Sequence, residues 1–294
     1  MAATNIPWAD AVWNPITGCT KCSEGCAHCY AERMARRLAG RCGYPQDDPF
    51  RVTFHPDKLD EPLHWRKPRR VFVCSMGDLF HEDVTNEQIA QVWMRMAGLS
   101  KQTFLLLTKR PQRMAKWMSR VALHEHGWYT HNGKAPKAYG GSGIIVSGNG
   151  PRYVDENYCE RWPVTWPLPN VYLGVTVEND QHLDRIETLL RTPAAGHVVS
   201  LEPLLGPVDV SRWLWRPGAY GAGETVVSKY DHGLDWVICG GETGPGARPM
   251  HPQWVRDIRD QCVAAQVPFF FKQMSKREPI PEDLRIREFP NANS

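Results

Sequence analysis

Residues 103–122 read Thr-Phe-Leu-Leu-Leu-Thr-Lys-Arg-Pro-Gln-Arg-Met-Ala-Lys-Trp-Met-Ser-Arg-Val-Ala. Thr103 to Thr108 is an almost unbroken apolar run, the composition of a strand covered on both faces. It stops at Lys109-Arg110-Pro111, and Gln112 to Ala122 reads as a helix. The same unit recurs along the chain. Ala11 to Trp13 is a short first strand. Arg70 to Cys74 is a second, ending in Ser-Met-Gly-Asp-Leu-Phe, and Asn86 to Leu99 is an amphipathic helix. Asn170 to Val177 gives a fourth strand, ending at Glu178-Asn179, with a helix from Gln181 to Leu190. His197 to Leu201 is a fifth, ending at Glu202-Pro203, and Leu234 to Cys239 a sixth, running into Gly240-Gly241-Glu242. Trp254 to Ala265 is helical, and Val267 to Phe271 is a seventh strand, ending at Lys272-Gln273.

Buried strands alternating with helices predict an α/β fold, a full or partial (β/α) TIM-like barrel with mostly parallel strands. Polar residues gather at the C-terminal strand ends: Ser75 and Asp78, Lys109 and Arg110, Glu178 and Asn179, Glu202, Glu242, Lys272 and Gln273. Barrels of this kind build their active sites at that end. Residues 1–273 are expected to form one such domain. Two stretches interrupt it, at about 123–169 and at 212–231. The first is glycine-rich and too long for an ordinary connection, so it reads as an insertion or lid. Tyr30 to Leu38 and Lys58 to Trp65 are further expected helices. The tail, 274–294, is charged and proline-containing, and is expected to be surface-draped or partly disordered.

A chain of 294 residues, 42% hydrophobic, can bury a large core, and a net charge of +3 is too small to announce a nucleic-acid binder. Met1 to Asp10 lacks the basic and apolar regions of a signal peptide, and no apolar run reaches membrane-spanning length. No membrane association is expected. Cys42, Cys74, Cys159, Cys239 and Cys262 are scattered, which fits a reducing cytoplasm.

The other four cysteines are not scattered. Residues 12–34 read Val-Trp-Asn-Pro-Ile-Thr-Gly-Cys-Thr-Lys-Cys-Ser-Glu-Gly-Cys-Ala-His-Cys-Tyr-Ala-Glu-Arg-Met, placing Cys19, Cys22, Cys26 and Cys29 within eleven residues. Such a group points to a metal or cluster site before disulfides. Wrapping one zinc ion is awkward with only three residues between Cys22 and Cys26, whereas ligands of an iron–sulfur cluster bind different corners of a larger object. Two trios are open. Cys22-x3-Cys26-x2-Cys29 has the spacing of the usual radical S-adenosylmethionine (SAM) loop, and Cys19-x6-Cys26-x2-Cys29 is the other. Three thiolates on a [4Fe–4S] cluster leave one iron open to chelate SAM.

This stretch resembles the opening of the phage and bacterial three-Cys-motif family, a domain of unknown function regarded as distantly radical-SAM-like. Trp13, Asn14, Pro15, Thr17, Gly18, Cys19, Cys26, Cys29, Tyr30, Ala31 and Glu32 carry the likeness, and it continues through most of the chain. Val73–Val84 (Ser-Met-x-Asp-Leu-Phe-His-Glu-Asp-Val), Leu106–Arg110, Gly174–Asn179, Glu202–Pro207, Gly240–Met250 and Pro268–Gln273 match further signatures. Members commonly have an apolar residue where Cys22 stands, so the resemblance implies Cys19, Cys26 and Cys29 as cluster ligands.

It further implies a [4Fe–4S] cluster and SAM as cofactors, with one-electron reduction of SAM yielding a radical that abstracts a substrate hydrogen. Asp78, Glu178, Gly240, Gly241 and Glu242 are the expected cofactor-binding residues, and Glu202 and Lys272 the expected catalytic pair. Asp78 would receive the SAM amino group, and Gly240-Gly241 would let backbone approach a ligand, with Glu242 holding a ribose hydroxyl or an amine. Glu178 and Glu202 would form a carboxylate pair for hydrogen bonding or proton transfer. Lys272 would meet a substrate anion or proton, and Arg248 an anionic group. Each has a plainer reading: a helix cap or loop carboxylate for Asp78, a turn for the glycines, a salt bridge at the barrel mouth for Lys272. His124 and His126 read as a solvated loop, and His81-Glu82-Asp83 as a turn. The family's phage association suggests a nucleotide or nucleic-acid substrate, such as DNA; the residues themselves leave substrate and protein partners open. The alternatives are a zinc- or cluster-stabilised nucleic-acid-binding protein without radical chemistry, and a barrel hydrolase or lyase using Glu178, Glu202 and Lys272.

Overall fold

The computed structural model describes residues 4–123, 166–214 and 232–290, together with the backbone of three short strands between 143 and 163. The main sheet holds seven strands: β1 (Ala11–Trp13), β2 (Arg70–Val73), β3 (Thr103–Thr108), β4 (Val171–Thr176), β5 (Gly196–Leu201), β6 (Trp236–Cys239) and β7 (Phe269–Phe271). They lie in chain order and every adjacent pair is parallel. The sheet curls into a half-barrel with flanking helices, and β1 and β7 form its two edges. The expected partial barrel is what the chain builds.

The helices are α1 (Tyr30–Arg37), α2 (Asn86–Ala97), α3 (Pro111–Leu123), α4 (Asp184–Leu190) and α5 (Pro252–Ala264). A reciprocal cap between Thr85 and Gln88 starts α2. Lys58 to Trp65, expected as a helix, is instead a pair of 3₁₀ turns over Pro56–Lys58 and Glu61–His64. Pro62 lacks the N–H that a continuous helix would need there.

Alternation along each strand assigns the two faces. Val71, Val73, Phe104, Leu106 and Leu173 belong to the large core that also takes in Ile89 and Trp93 of α2 and Ile258 of α5. Phe72, Leu105, Tyr172, Val198, Ile238 and Phe270 face the other way and form a second cluster with Trp8. Trp8 stacks edge-on against Trp236, which also meets Phe289. Aromatic rings thus fill the concave side around the N-terminal ends of the strands, while the polar C-terminal ends lie opposite.

The tail corrects the expectation of a surface drape. Phe271 donates to the Ile286 carbonyl (2.9 Å) and Glu288 to the Phe269 carbonyl (3.0 Å), so residues 286–288 run antiparallel along the free edge of β7. Leu284 is fully buried and Phe289 packs on Phe270. The apolar residues Leu284, Ile286 and Phe289 were hidden among charges in a short segment. The first interruption contains a three-stranded antiparallel sheet (Gly143–Ser147, Gly150–Val154, Glu160–Pro163). His124 and His126 lie outside the described residues, as do residues 215–231 of the second interruption. No helix among the described residues is long and apolar enough to cross a membrane.

Candidate functional site

The cysteine loop leaves the C-terminal end of β1 and is tied across the mouth of the half-barrel. Asn14 Oδ1 accepts from Ser75 Oγ (3.1 Å) and Met76 N (3.0 Å), locking the ends of β1 and β2 together. Ile16–Thr17 then pairs with Thr53–Phe54. Gly18 follows with φ +83°, and a Cβ there would collide with the Arg51 carbonyl, so only glycine passes. The next contacts reach β4. Ser23 Oγ donates to Glu178 Oε1 (2.6 Å), and Glu24 is held by Asn179 Nδ2 and by His182 Nε2 (2.9 Å). Between them Gly25 lies so close that a Cβ would collide with the Glu178 carboxylate. Beyond β6, His28 Nδ1 meets Glu242 Oε2 (3.0 Å), and Arg33 of α1 donates to the Thr243 carbonyl (2.9 Å).

Two cations from the end of β3 face the sulfurs. Lys109 Nζ lies 3.8 Å from Cys26 Sγ and 2.6 Å from Glu178 Oε1. Arg110 NH1 lies 3.3 Å from Cys19 Sγ and 3.3 Å from Asp78 Oδ2. A hydrogen bond from Cys22 pulls the Cys26 thiol down, against the effect of burial; Lys109 and Ser23 pull it further, to about 3. Burial, reinforced by Asp78, pushes Cys19 up to about 11 despite Arg110. Cys22, which gives its proton to Cys26, is shifted upward. Burial depresses the Lys109 pKa, but Glu178 and Cys26 outweigh it and the net shift is upward. The Cys26 and Lys109 shifts both favour the charged pair of ammonium and thiolate.

Thiolate donors of this kind can hold an iron–sulfur cluster or a zinc ion. No three of the four loop cysteines bring their sulfurs within 4.8 Å of one another. A tetrahedral zinc site with Zn–S bonds of about 2.3 Å needs sulfurs about 3.8 Å apart.

A family model described as a protein of unknown function (DUF5131) matches residues 3–284. The chain belongs to the DUF5131 family. No curated protein and no solved structure is significantly similar to it. The family match covers the whole half-barrel and both interruptions, and assigns no reaction.

In this DUF5131 protein the expected site residues do reach the mouth, but mostly with partners of their own. Asp78 accepts from Thr108 Oγ1 (2.8 Å), Phe80 N (3.0 Å), Lys109 N (3.3 Å) and Arg110, so its carboxylate anchors the strand ends. Glu178 is fully buried and joins Lys109, Ser23 and Arg185 NH1 (2.9 Å). Glu202 Oε1 takes Lys272 Nζ at 2.5 Å and Gln273 Nε2 at 3.0 Å. Glu178 and Glu202 thus each have their own cation, and Lys272 makes the barrel-mouth salt bridge. Glu242 receives a forked contact from Arg248 (2.6 and 3.0 Å) besides His28, and these outweigh burial to bring its carboxyl down to about 2. Arg248 is thereby engaged by Glu242. A Cβ on Gly241 would collide with Ser275, so close approach of chain to chain explains that glycine, whereas one on Gly240 would meet Glu202 and Lys272 only at ordinary contact distance, 3.4 Å. His81 is buried and meets Thr20 Oγ1 (2.8 Å), a turn that reaches back to the cysteine loop.

Sequence reading passed over Ser23, Glu24, Gly25 and Arg185. The first three carry no motif outside the loop they fasten. Arg185 lies on α4 seven residues beyond Glu178, and only the fold turns it back onto that carboxylate.

Proposed function

We propose that this DUF5131 protein is a radical-SAM-like iron–sulfur enzyme, with Cys19, Cys26 and Cys29 as cluster ligands and SAM as cofactor. One observation carries the reading: the cysteine loop is fastened over the C-terminal mouth of a parallel half-barrel, with Lys109 and Arg110 directed at two of its sulfurs. A [4Fe–4S] cluster held by three thiolates supplies an open iron and one-electron reducing power for SAM cleavage. The chain's own residues hold the loop. Ser23, Glu24 and Gly25 seat it on β4, His28 and Arg33 seat it on the segment after β6, and Lys109 and Arg110 balance thiolate charge in a partly desolvated setting. Glu202 and Lys272, 2.5 Å apart at the ends of β5 and β7, are the nearest expectation for moving or stabilising a substrate proton.

The test is reduction of the reconstituted protein with dithionite in the presence of SAM, followed by mass spectrometric assay for 5′-deoxyadenosine and methionine. Both products are expected, and neither with Cys26→Ser. Absence of both from protein that holds iron and sulfide would exclude the radical reading in favour of a cluster-stabilised binding protein.

A further inference from the structure

His197, His232 and Asp235 each offer a ligand atom, all within 4.8 Å of one another. His197 lies at the start of β5 and Asp235 just before β6, so the group bridges the N-terminal ends of two paired strands, away from the cysteine loop. His197 is fully buried. Its Nε2 lies 2.7 Å from the Thr192 carbonyl oxygen, a contact that requires the proton on Nε2. Nδ1 then carries a lone pair, and it is buried with no hydrogen-bond partner. The His232 ring stacks on His197 (centroids 4.6 Å apart, planes 21°), which leaves that lone pair unpartnered and means that His232 must turn about its side-chain bonds before its own nitrogen can share an ion with it. Asp235 Oδ2 accepts from the His197 main-chain N at 2.7 Å, which fixes the carboxylate beside the residue whose nitrogen is left over.

A buried lone pair with its tautomer set by a backbone carbonyl is the preparation a metal-bound histidine shows, the second nitrogen donating outward to fix the ring. We propose that His197 Nδ1, His232 and Asp235 bind a divalent transition-metal ion of the zinc type, at a site separate from the cysteine loop. Two imidazoles and one carboxylate suit zinc and its neighbours, whereas magnesium and calcium call for shells of oxygen. Bound there, the ion ties the start of β5 to the segment leading into β6. Its place at the N-terminal end of the strands marks it as a stabilising site. The three ligands leave one tetrahedral position for water.

The experiment uses the full-length chain with Cys19, Cys22, Cys26 and Cys29 changed to serine, stripped with chelator and titrated with Zn²⁺. One equivalent is expected to bind and to raise the melting temperature. His232→Ala and Asp235→Asn should each weaken binding at least about tenfold and remove the rise, since disturbing even an outer-shell partner costs 10–100-fold. No bound equivalent, or unchanged affinity in His232→Ala, overturns the site. Should the serine variant fail to fold, Co²⁺ added to the wild-type chain gives the same decision. Cobalt d–d intensity lost in His232→Ala while any thiolate charge transfer from the cysteine loop stays unchanged supports the site, and identical spectra in the two proteins refute it. Iron and sulfide content play no part in either readout, so this site and the cluster stand or fall separately.

Discussion

Lys109→Met removes the ammonium that joins Glu178 to the cysteine loop while keeping a chain of similar length. Glu178 is fully buried and Lys109 partly so, with side-chain exposures of 0% and 17%. Taking one partner from a buried pair costs about 3–5 kcal/mol, because the other charge is left uncompensated. Glu178 here keeps Arg185 and Ser23. The expected loss therefore falls below that range, about 2–3 kcal/mol, still a large part of a typical stability of about 5–15 kcal/mol. Urea unfolding of Lys109→Met, Glu178→Gln and the double variant measures it. The double variant should lose at least about 1 kcal/mol less than the sum of the single losses. Cys26 also loses its cation, so its thiol titrates higher and its alkylation by iodoacetamide at pH 5 slows. Losses additive to within about 0.5 kcal/mol, with Cys26 reactivity unchanged, would show that the three groups are not coupled and refute this account of the loop.

Other expectations follow from single contacts. Gly25→Ala places a methyl group against the pinned Glu178 carboxylate, which should cost about 1–3 kcal/mol in urea unfolding and lower iron retention after reconstitution. In the metal-free protein, Cys26, with its pKa near 3, should be alkylated at pH 5, while Cys19, near 11, should not; tandem mass spectrometry of labelled peptides reads both. The folded-state pKa of Glu242 lies near 2, below its ordinary 4.5, so its contribution is complete above about pH 4.5 and is lost as pH falls toward 2. Acid unfolding of Glu242→Gln should be shallower than wild type across that window. Phe289→Ala should cost about 1–3 kcal/mol by uncovering Trp236 and Phe270, checked by thermal melting.

The barrel was legible because each strand is apolar on both faces and ends abruptly in charge. Ala11–Trp13 and Thr103–Thr108 keep the boundaries their composition announces, and the other five strands shift by one or two residues at their ends. Polar residues at the C-terminal strand ends were visible for the same reason. What they touch was not. Asp78 looked like a group awaiting a ligand, yet the backbone of Phe80 satisfies it locally, and Thr108, Arg110 and the backbone of Lys109 do so through contacts that exist only once β2 and β3 lie side by side. Glu178 meets Arg185 because α4 folds back over β4, and meets Ser23 across 155 residues of chain. The tail misled because three apolar residues among charges make no periodic signal, and an edge strand becomes apparent only beside its partner. His197 and Asp235 are 38 residues apart and belong to two different strand entrances, so no local spacing announces them as neighbours.

The most direct test of the cluster is the iron, sulfide and zinc content of anaerobically purified protein, measured alongside Cys26→Ser. About four irons and four sulfides per chain, lost in the variant, are predicted. Zinc that disappears with Cys26, unaccompanied by sulfide, would contradict the account.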